Sequence, residues 1–240
     1  GRLAHAGARR HPVEVQARIA ARQQLLAARV QQRPLGVAQA LGEVLAKLHL
    51  AVADFRMTRA NTLGPQGWRA LVDACAPHAD RCALGLAELA RSELQILEKN
   101  WPQRLPIGAI HADLFPDNVF FKDDAVSGVI DFYFACTDYF AYDLAVSLIS
   151  WCWLDRKWSK ESAAQMIAGY ESVRPLAAAE RDNLLLLVKG AAMRFMLTRL
   201  YDWLNHPAGA MVRRKDPMEY WQKLRFHQSV KGAGAYGLDL

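Results

Sequence analysis

The stretch His111-Ala112-Asp113-Leu114-Phe115-Pro116-Asp117-Asn118 sets an aspartate two residues after a histidine and an asparagine five residues further on. A second aspartate, Asp131, follows in the apolar run Gly128-Val129-Ile130-Asp131-Phe132. These residue types, in this order, suit metal-assisted phosphoryl transfer. That reaction asks a protein for one carboxylate aimed at the attacking hydroxyl and for oxygen ligands that hold a divalent cation against nucleotide phosphates. Asp113 takes the first role, as the base, and Asn118 with Asp131 the second. Mg2+ prefers oxygen ligands and keeps waters and phosphate oxygens in its remaining positions, so one carboxylate and one amide from the protein suffice.

The elements that must position these groups can be read from the intervening residues. Val119-Phe120-Phe121 and Val126 through Ile130 favour extended backbone, while Lys122-Asp123-Asp124 forms a polar tip. A β-hairpin is predicted. Asn118 and Asp131 lie symmetrically about its centre, so an unbulged register sets them opposite each other, roughly 4.5 to 5.5 Å apart. Pro116 disfavours a continuous helix through the loop. His111 is read as a structural residue that bonds loop backbone, and Asp117 as a turn carboxylate.

With its continuation, the box from Ile110 to Trp153 resembles the aminoglycoside phosphotransferase superfamily. The run Asp131-Phe132-Tyr133-Phe134-Ala135-Cys136-Thr137-Asp138, with Arg194-Phe195 and Arg199-Leu200-Tyr201-Asp202-Trp203 later on, resembles the bacterial homoserine kinases of that superfamily more narrowly. The similarity is expected to begin near Leu41-Gly42-Glu43 and to run through Phe226-His227. The resemblance implies an α+β, mainly helical fold: the C-terminal lobe of a kinase-like structure, with a catalytic loop and a metal-binding β-hairpin. It further implies ATP as co-substrate, Mg2+, and phosphorylation of the side-chain hydroxyl of L-homoserine, a step toward threonine. By motif position Asp113 is the base, and Asn118 and Asp131 bind metal and nucleotide. Asp143, in Tyr142-Asp143-Leu144-Ala145, is a scaffold carboxylate expected to cap N–H groups at a helix start.

Homoserine carries a carboxylate and an ammonium besides its hydroxyl, so its pocket should hold an arginine and an acidic or carbonyl partner. Arg194 is the substrate-binding candidate and Arg199 the second. A surface or interlobe salt bridge is the competing reading for both, since long basic side chains are mostly solvated. Tyr133 and Asp138 are placed close enough in sequence to line the pocket.

Composition agrees with a soluble enzyme acting on small molecules in the cytoplasm. With 240 residues, 52% of them hydrophobic, the chain can bury a sizeable core. Cys75, Cys82, Cys136 and Cys152 show no CxxC spacing, which fits a reducing compartment. The longest apolar-rich stretch, Leu144 to Leu154, falls short of the about 20 residues that span a bilayer, and no signal-peptide pattern is evident. The net charge of +6 is concentrated in residues 1–33, which hold seven arginines against Glu14 alone, so the remainder is electrically balanced. No aromatic residue precedes Phe55 to stack on a base, which argues against a nucleic-acid partner.

Residues 1–33 are expected to be an atypical basic segment, helical or disordered, resembling neither the family nor a lobe strand; a truncated or out-of-frame origin is one hypothesis for it. The first lysine is Lys47, in a helical pattern, and no Gly-rich phosphate loop precedes it. The nucleotide-covering small lobe is therefore expected to be missing. Residues 34–230 form the kinase-like lobe and 231–240 a flexible glycine-containing tail. Ala38, Leu41, Leu45 and Leu48 fall at helical spacing, as do Leu86, Leu89, Ile96 and Leu97 less strictly. A longer helix from about Glu180 to Leu204 carries a core stripe of Met193, Phe195, Met196 and Leu200. Two classes of function stand. One is a small-molecule kinase, with choline or an aminoglycoside as weaker substrate choices. The other is a lobe-deficient remnant or pseudokinase.

Overall fold

A computed structural model describes residues 36–122, 125–207 and 214–238. The basic segment and the idea of a missing lobe concern residues 1–35, outside that range. Helices dominate, and the strands come in three two-stranded ladders among the described residues. The chain begins with α1 (Gly36–Ala51), α2 (Pro65–Ala79) and α3 (Leu86–Asn100). Strand β1 (Ile107–Ile110) leads into the catalytic loop, and a single 3-10 turn (Pro116–Asn118) closes it. The hairpin β2 (Val119–Lys122) and β3 (Ala125–Val129) follows, then a 3-10 turn (Phe132–Phe134), β4 (Cys136–Tyr139) and α4 (Phe140–Trp151). The short ladder of β5 (Trp153–Leu154) and β6 (Lys157–Trp158) precedes α5 (Lys160–Val173), α6 (Ala178–Leu204) and α7 (Pro217–Ser229).

The expected helical stripes are largely real. Leu41 and Leu45 of α1 are fully buried, with His49 one turn further on the same face. Ile96 of α3, in contrast, points outward. Helix α6 runs 27 residues, and Met193, Met196 and Leu200 on it are fully buried. Burial of each such side chain contributes about 1.5 to 3 kcal/mol. Pro217 starts α7 at a position where its missing N–H costs nothing.

Helices α1 and α5 pack most closely of all. A methyl group on Gly42 would meet the Met166 carbonyl oxygen at 2.0 Å, and one on Gly169 would meet the Gln39 carbonyl oxygen at 2.1 Å. Both positions therefore require the missing side chain.

Strands β1 and β4 pair antiparallel, Ile107 with Tyr139 through Ile110 with Cys136. This ladder fixes the site: the catalytic loop leaves β1 beside Cys136, α4 leaves β4 at the opposite end, beside Ile107, and Asp143 of α4 accepts from the loop amides of His111 and Ala112. The hairpin forms as expected but in a different register. Val119 pairs with Val129 and Phe120 with Gly128, whereas Phe121 pairs with Val126, so Ser127 is the extra residue of a bulge. Asn118 consequently faces Ile130, whose N–H donates to its carbonyl at 3.0 Å. Asp131 lies two residues beyond the last ladder pair, Val119 with Val129, and has φ of 65°.

The tail expected to be flexible is packed over most of its length. A 3-10 turn (Ala233–Tyr236) buries Tyr236 completely, with its hydroxyl 2.9 Å from His227 Nδ1, and Trp158 Nε1 donates to the Ala235 carbonyl at 2.9 Å. The glycines serve packing and turning here, Gly237 at φ 80°. No helix among the described residues is long and apolar enough to cross a membrane.

Candidate active site

Asp113, Asn118 and Asp131 line one cavity of about 550 Å³, together with Phe115, Arg194 and Arg199. The one-residue register shift therefore does not separate them. Turning left-handed at Asp131 brings its carboxylate back to the shared space.

The catalytic loop is held at its backbone. Ala112 adopts φ of 61°, a left-handed conformation that costs an L-residue roughly 1 to 2 kcal/mol. Its N–H donates to Asp143 Oδ1 at 2.7 Å, and its carbonyl accepts from Arg194 Nη1. The two sides of the strained residue are thus both tied. The His111 N–H donates to Asp143 Oδ2 at 2.8 Å. In its own ring, Nδ1 accepts from the Asp113 N–H at 3.2 Å, so Nε2 is the donor to the Ile130 carbonyl at 3.0 Å. His111 bonds loop backbone at both nitrogens.

Asp143 departs from its expected place. It sits inside the first turn of α4 rather than at the cap, which is Tyr139, and its carboxylate captures amides of the catalytic loop instead of its own helix. Complete burial would push this carboxyl up, but hydrogen bonds from His49 and the loop amides outweigh that and hold it low. His49 Nε2 lies 3.1 Å from Asp143 Oδ2, and His49 Nδ1 lies 2.7 Å from the Tyr170 hydroxyl. That hydroxyl accepts from Arg174 Nη1 at 3.2 Å, and Arg174 Nη2 reaches both oxygens of buried Glu180 at 3.0 and 3.1 Å. With Nε2 as donor to Asp143, each donor in the row meets an acceptor, from Arg174 through Tyr170 and His49 to the carboxylate. Sequence reasoning passed over His49 and Tyr170. The one available signal was a histidine at position i+4 from Leu45 on an otherwise apolar helix face.

Asp113 is partly buried, and burial pushes its carboxyl above the ordinary aspartate value, with Asp117 adding to the rise and Arg194, Lys215 and His111 opposing it. A raised carboxyl is a stronger base. Asn118 is buried; its Nδ2 donates to the Asp113 carbonyl at 2.8 Å, which leaves Oδ1 without a donor among the described residues. The exposed carboxylate of Asp131 has no hydrogen bond or ion pair among them either. An uncommitted amide oxygen and an uncompensated carboxylate on one cavity form a hard-oxygen donor set that fits Mg2+.

The basic candidates divide. Arg194 is buried, 1% exposed, rather than a surface or interlobe salt bridge. Its guanidinium lies 4.5 Å from the Phe195 ring centre and 5.5 Å from that of Phe134, and its Nη1 is spent on the Ala112 carbonyl. Arg199 does make an ion pair, with Glu219 at 2.6 Å, and stacks 4.3 Å from the Tyr220 ring centre. Asp138 does not line the cavity, because its carboxylate is taken by Asn61 Nδ2 at 2.6 Å and by the Tyr139 N–H at 2.7 Å. Tyr133 also lies outside it and is 71% exposed.

A helical lobe with its loop, hard-oxygen donor set and buried aspartate clamp arranged this way is the one the phosphotransferase resemblance implies. The sequence model of the phosphotransferase enzyme family matches residues 3–176, and the chain belongs to that family. The match begins ahead of Leu41 and takes in the arginine-rich segment. Within the family, the chain is 60% identical to a homoserine kinase of Rhodospirillum rubrum over 200 residues, which are 83% of this chain and 62% of that one. It is 58% identical to a homoserine kinase of Xanthobacter autotrophicus, over 82% of this chain and 62% of the relative. The chain thus spans about 62% of the length of these relatives. Among solved structures, a choline/ethanolamine kinase family protein from Mesorhizobium loti aligns with a TM-score of 0.58 at 16% identity, over 87% of this chain and 68% of the other. An amicoumacin kinase aligns at 0.56 and 15% identity, over 81% and 58%. At such identities these two likenesses establish the kinase-like fold.

Proposed function

We propose that this chain carries the catalytic lobe of an ATP-dependent kinase for the side-chain hydroxyl of L-homoserine. The observation that carries the reading is the convergence of Asp113, Asn118 and Asp131 on one cavity, in a chain 60% identical to a homoserine kinase over most of its length. Asp113 orients the hydroxyl and takes its proton as the oxygen attacks the γ-phosphorus; the bond from that phosphorus to the β–γ bridging oxygen breaks, and ADP leaves. Asn118 Oδ1 and the Asp131 carboxylate are the protein ligands for Mg2+. When bound, the cation neutralises charge on the transferring phosphoryl group. Arg194 fixes the loop through the Ala112 carbonyl and places positive charge beside the base. A small-molecule acceptor and ATP are the partners on this reading, in a cytoplasmic setting.

The test is release of ADP by the purified chain against a panel of L-homoserine, choline and an aminoglycoside. L-homoserine should be the preferred acceptor. Preferred turnover of another hydroxyl compound would reassign the substrate, and no turnover with any of them would return the chain to the class of inactive remnants.

A further inference from the structure

One wall of the catalytic cavity is a single face of α6, where Arg194, Phe195, Thr198, Arg199, Tyr201 and Asp202 recur at helical spacing. Three cations line the cavity. Arg194 is committed to the Ala112 carbonyl and sandwiched by two phenylalanine rings. Arg199 is committed to Glu219 and to the Asp216 carbonyl, 3.3 Å away. Lys215 has no hydrogen bond or ion pair among the described residues. It nevertheless lies close enough to Asp113 to lower that carboxyl.

Four aspartates line the same space. Asp113 and Asp131 have roles in phosphoryl transfer, and Asp117 stands between Asp113 and Asn118 in the chain, in the 3-10 turn of the catalytic loop. Asp202 is the one on the α6 wall, and it too is unpaired among the described residues. Beyond the base, the metal-ligand carboxylate and the turn carboxylate of the loop, the cavity thus offers one uncommitted cation, Lys215, and one uncommitted carboxylate on the α6 wall, Asp202. Leu63, Leu71 and Phe115 supply apolar surface in the same space.

The geometry points to Asp202 and Lys215 as the specificity-determining pair: Asp202 receives the α-ammonium and Lys215 the α-carboxylate of a free amino acid whose side-chain hydroxyl faces Asp113. This rests on the kinase reading above and deepens it. An aminoglycoside or choline lacks the carboxylate and leaves Lys215 unanswered. A cationic acceptor also meets its like charge, which disfavours it.

The experiment compares kcat/KM for L-homoserine with that for two truncated acceptors, γ-hydroxybutyrate without the ammonium and propanolamine without the carboxylate. The unaltered chain should favour L-homoserine over each by about tenfold or more, the value of one charge-assisted hydrogen bond. Asp202→Asn should collapse the preference over γ-hydroxybutyrate while keeping that over propanolamine. Lys215→Met should do the reverse, and the conservative variants Asp202→Glu and Lys215→Arg should restore part of each preference. KM for ATP serves as the internal control and should not move in any of the four. Turnover of L-homoserine with both ratios unchanged in both variants would overturn the assignment and leave the kinase reading standing. No turnover of any acceptor by the unaltered chain would overturn both.

Discussion

The two halves of the candidate site are built to different standards. On the side of the proposed base, the backbone of His111, Ala112 and Asp113 is tied through four hydrogen bonds to Asp143, Arg194 and the His111 ring, and that ring in turn donates to the Ile130 carbonyl. On the side of the proposed metal ligands, Asp131 sits past the end of a bulged ladder, exposed and unpaired, beside half-exposed Ile130 and Phe132. The contrast matches the chemistry asked of each. A base must be held where the hydroxyl will arrive, since catalysis by orientation is lost with small displacements. A metal ligand can settle around a cation that arrives with its nucleotide.

Asp113→Asn should break the function while leaving the fold. Turnover is expected to fall by about 10²- to 10⁴-fold, with a thermal midpoint close to that of the unaltered chain; unchanged turnover would remove Asp113 from its role. Asp143→Asn tests the anchored half directly. Losing one member of a buried ionic hydrogen-bond set costs about 3 to 5 kcal/mol, so its urea midpoint should drop sharply. A small drop would mean that the loop is held by something else. Asp131→Asn should do the opposite, raising the Mg2+ concentration for half-maximal turnover by about tenfold with no change in denaturation. If that variant unfolds early instead, the open half is structural and the contrast fails. Tyr170→Phe removes the donor to His49 Nδ1 and should cost about 1 kcal/mol, read as a kcat loss at constant KM, because it acts through the loop rather than on a ligand.

Acid sensitivity gives the smallest and most specific signature. The Asp113 carboxyl is raised above the usual aspartate value by burial, and in its proposed role the ionised form is the base. Turnover should therefore fall with decreasing pH at a higher pH than an ordinary aspartate would give. Lys215→Met, which removes an opposing charge, should move that limb further up. A limb at the ordinary aspartate position in both proteins would assign it to a different group.

The sequence was informative where the site is local. Asp113 and Asn118 sit five residues apart on one loop, and the spacing alone brought them together. The hairpin was legible from its β-favouring residues, but its register was not, because nothing in Val126-Ser127-Gly128 announces that Ser127 will bulge. The clamp behind the loop was legible only in part. Asp143 was expected as a scaffold, yet its partners are His49, 94 residues away, and through it Tyr170, 121 residues from His49. Contacts of that separation follow from how α1 lies against α5 and α4, which no periodicity encodes. Arg194 was expected to be a substrate group or an ion pair. It lines the cavity and makes no ion pair among the described residues, and its Nη1 meets a carbonyl that the left-handed turn at Ala112 aims into the core.

The two glycines at the α1–α5 crossing have a reach beyond their own contact. Gly42 lies seven residues before His49 on α1, two turns along the same face, and Gly169 immediately precedes Tyr170 on α5. The near-touching of the two backbones is thus what sets the 2.7 Å separation of the imidazole and the phenol. A methyl at either glycine would wedge the rods apart and stretch that link first, so a change of one carbon atom, remote from any reacting group, would be felt as slack in the loop that carries Asp113.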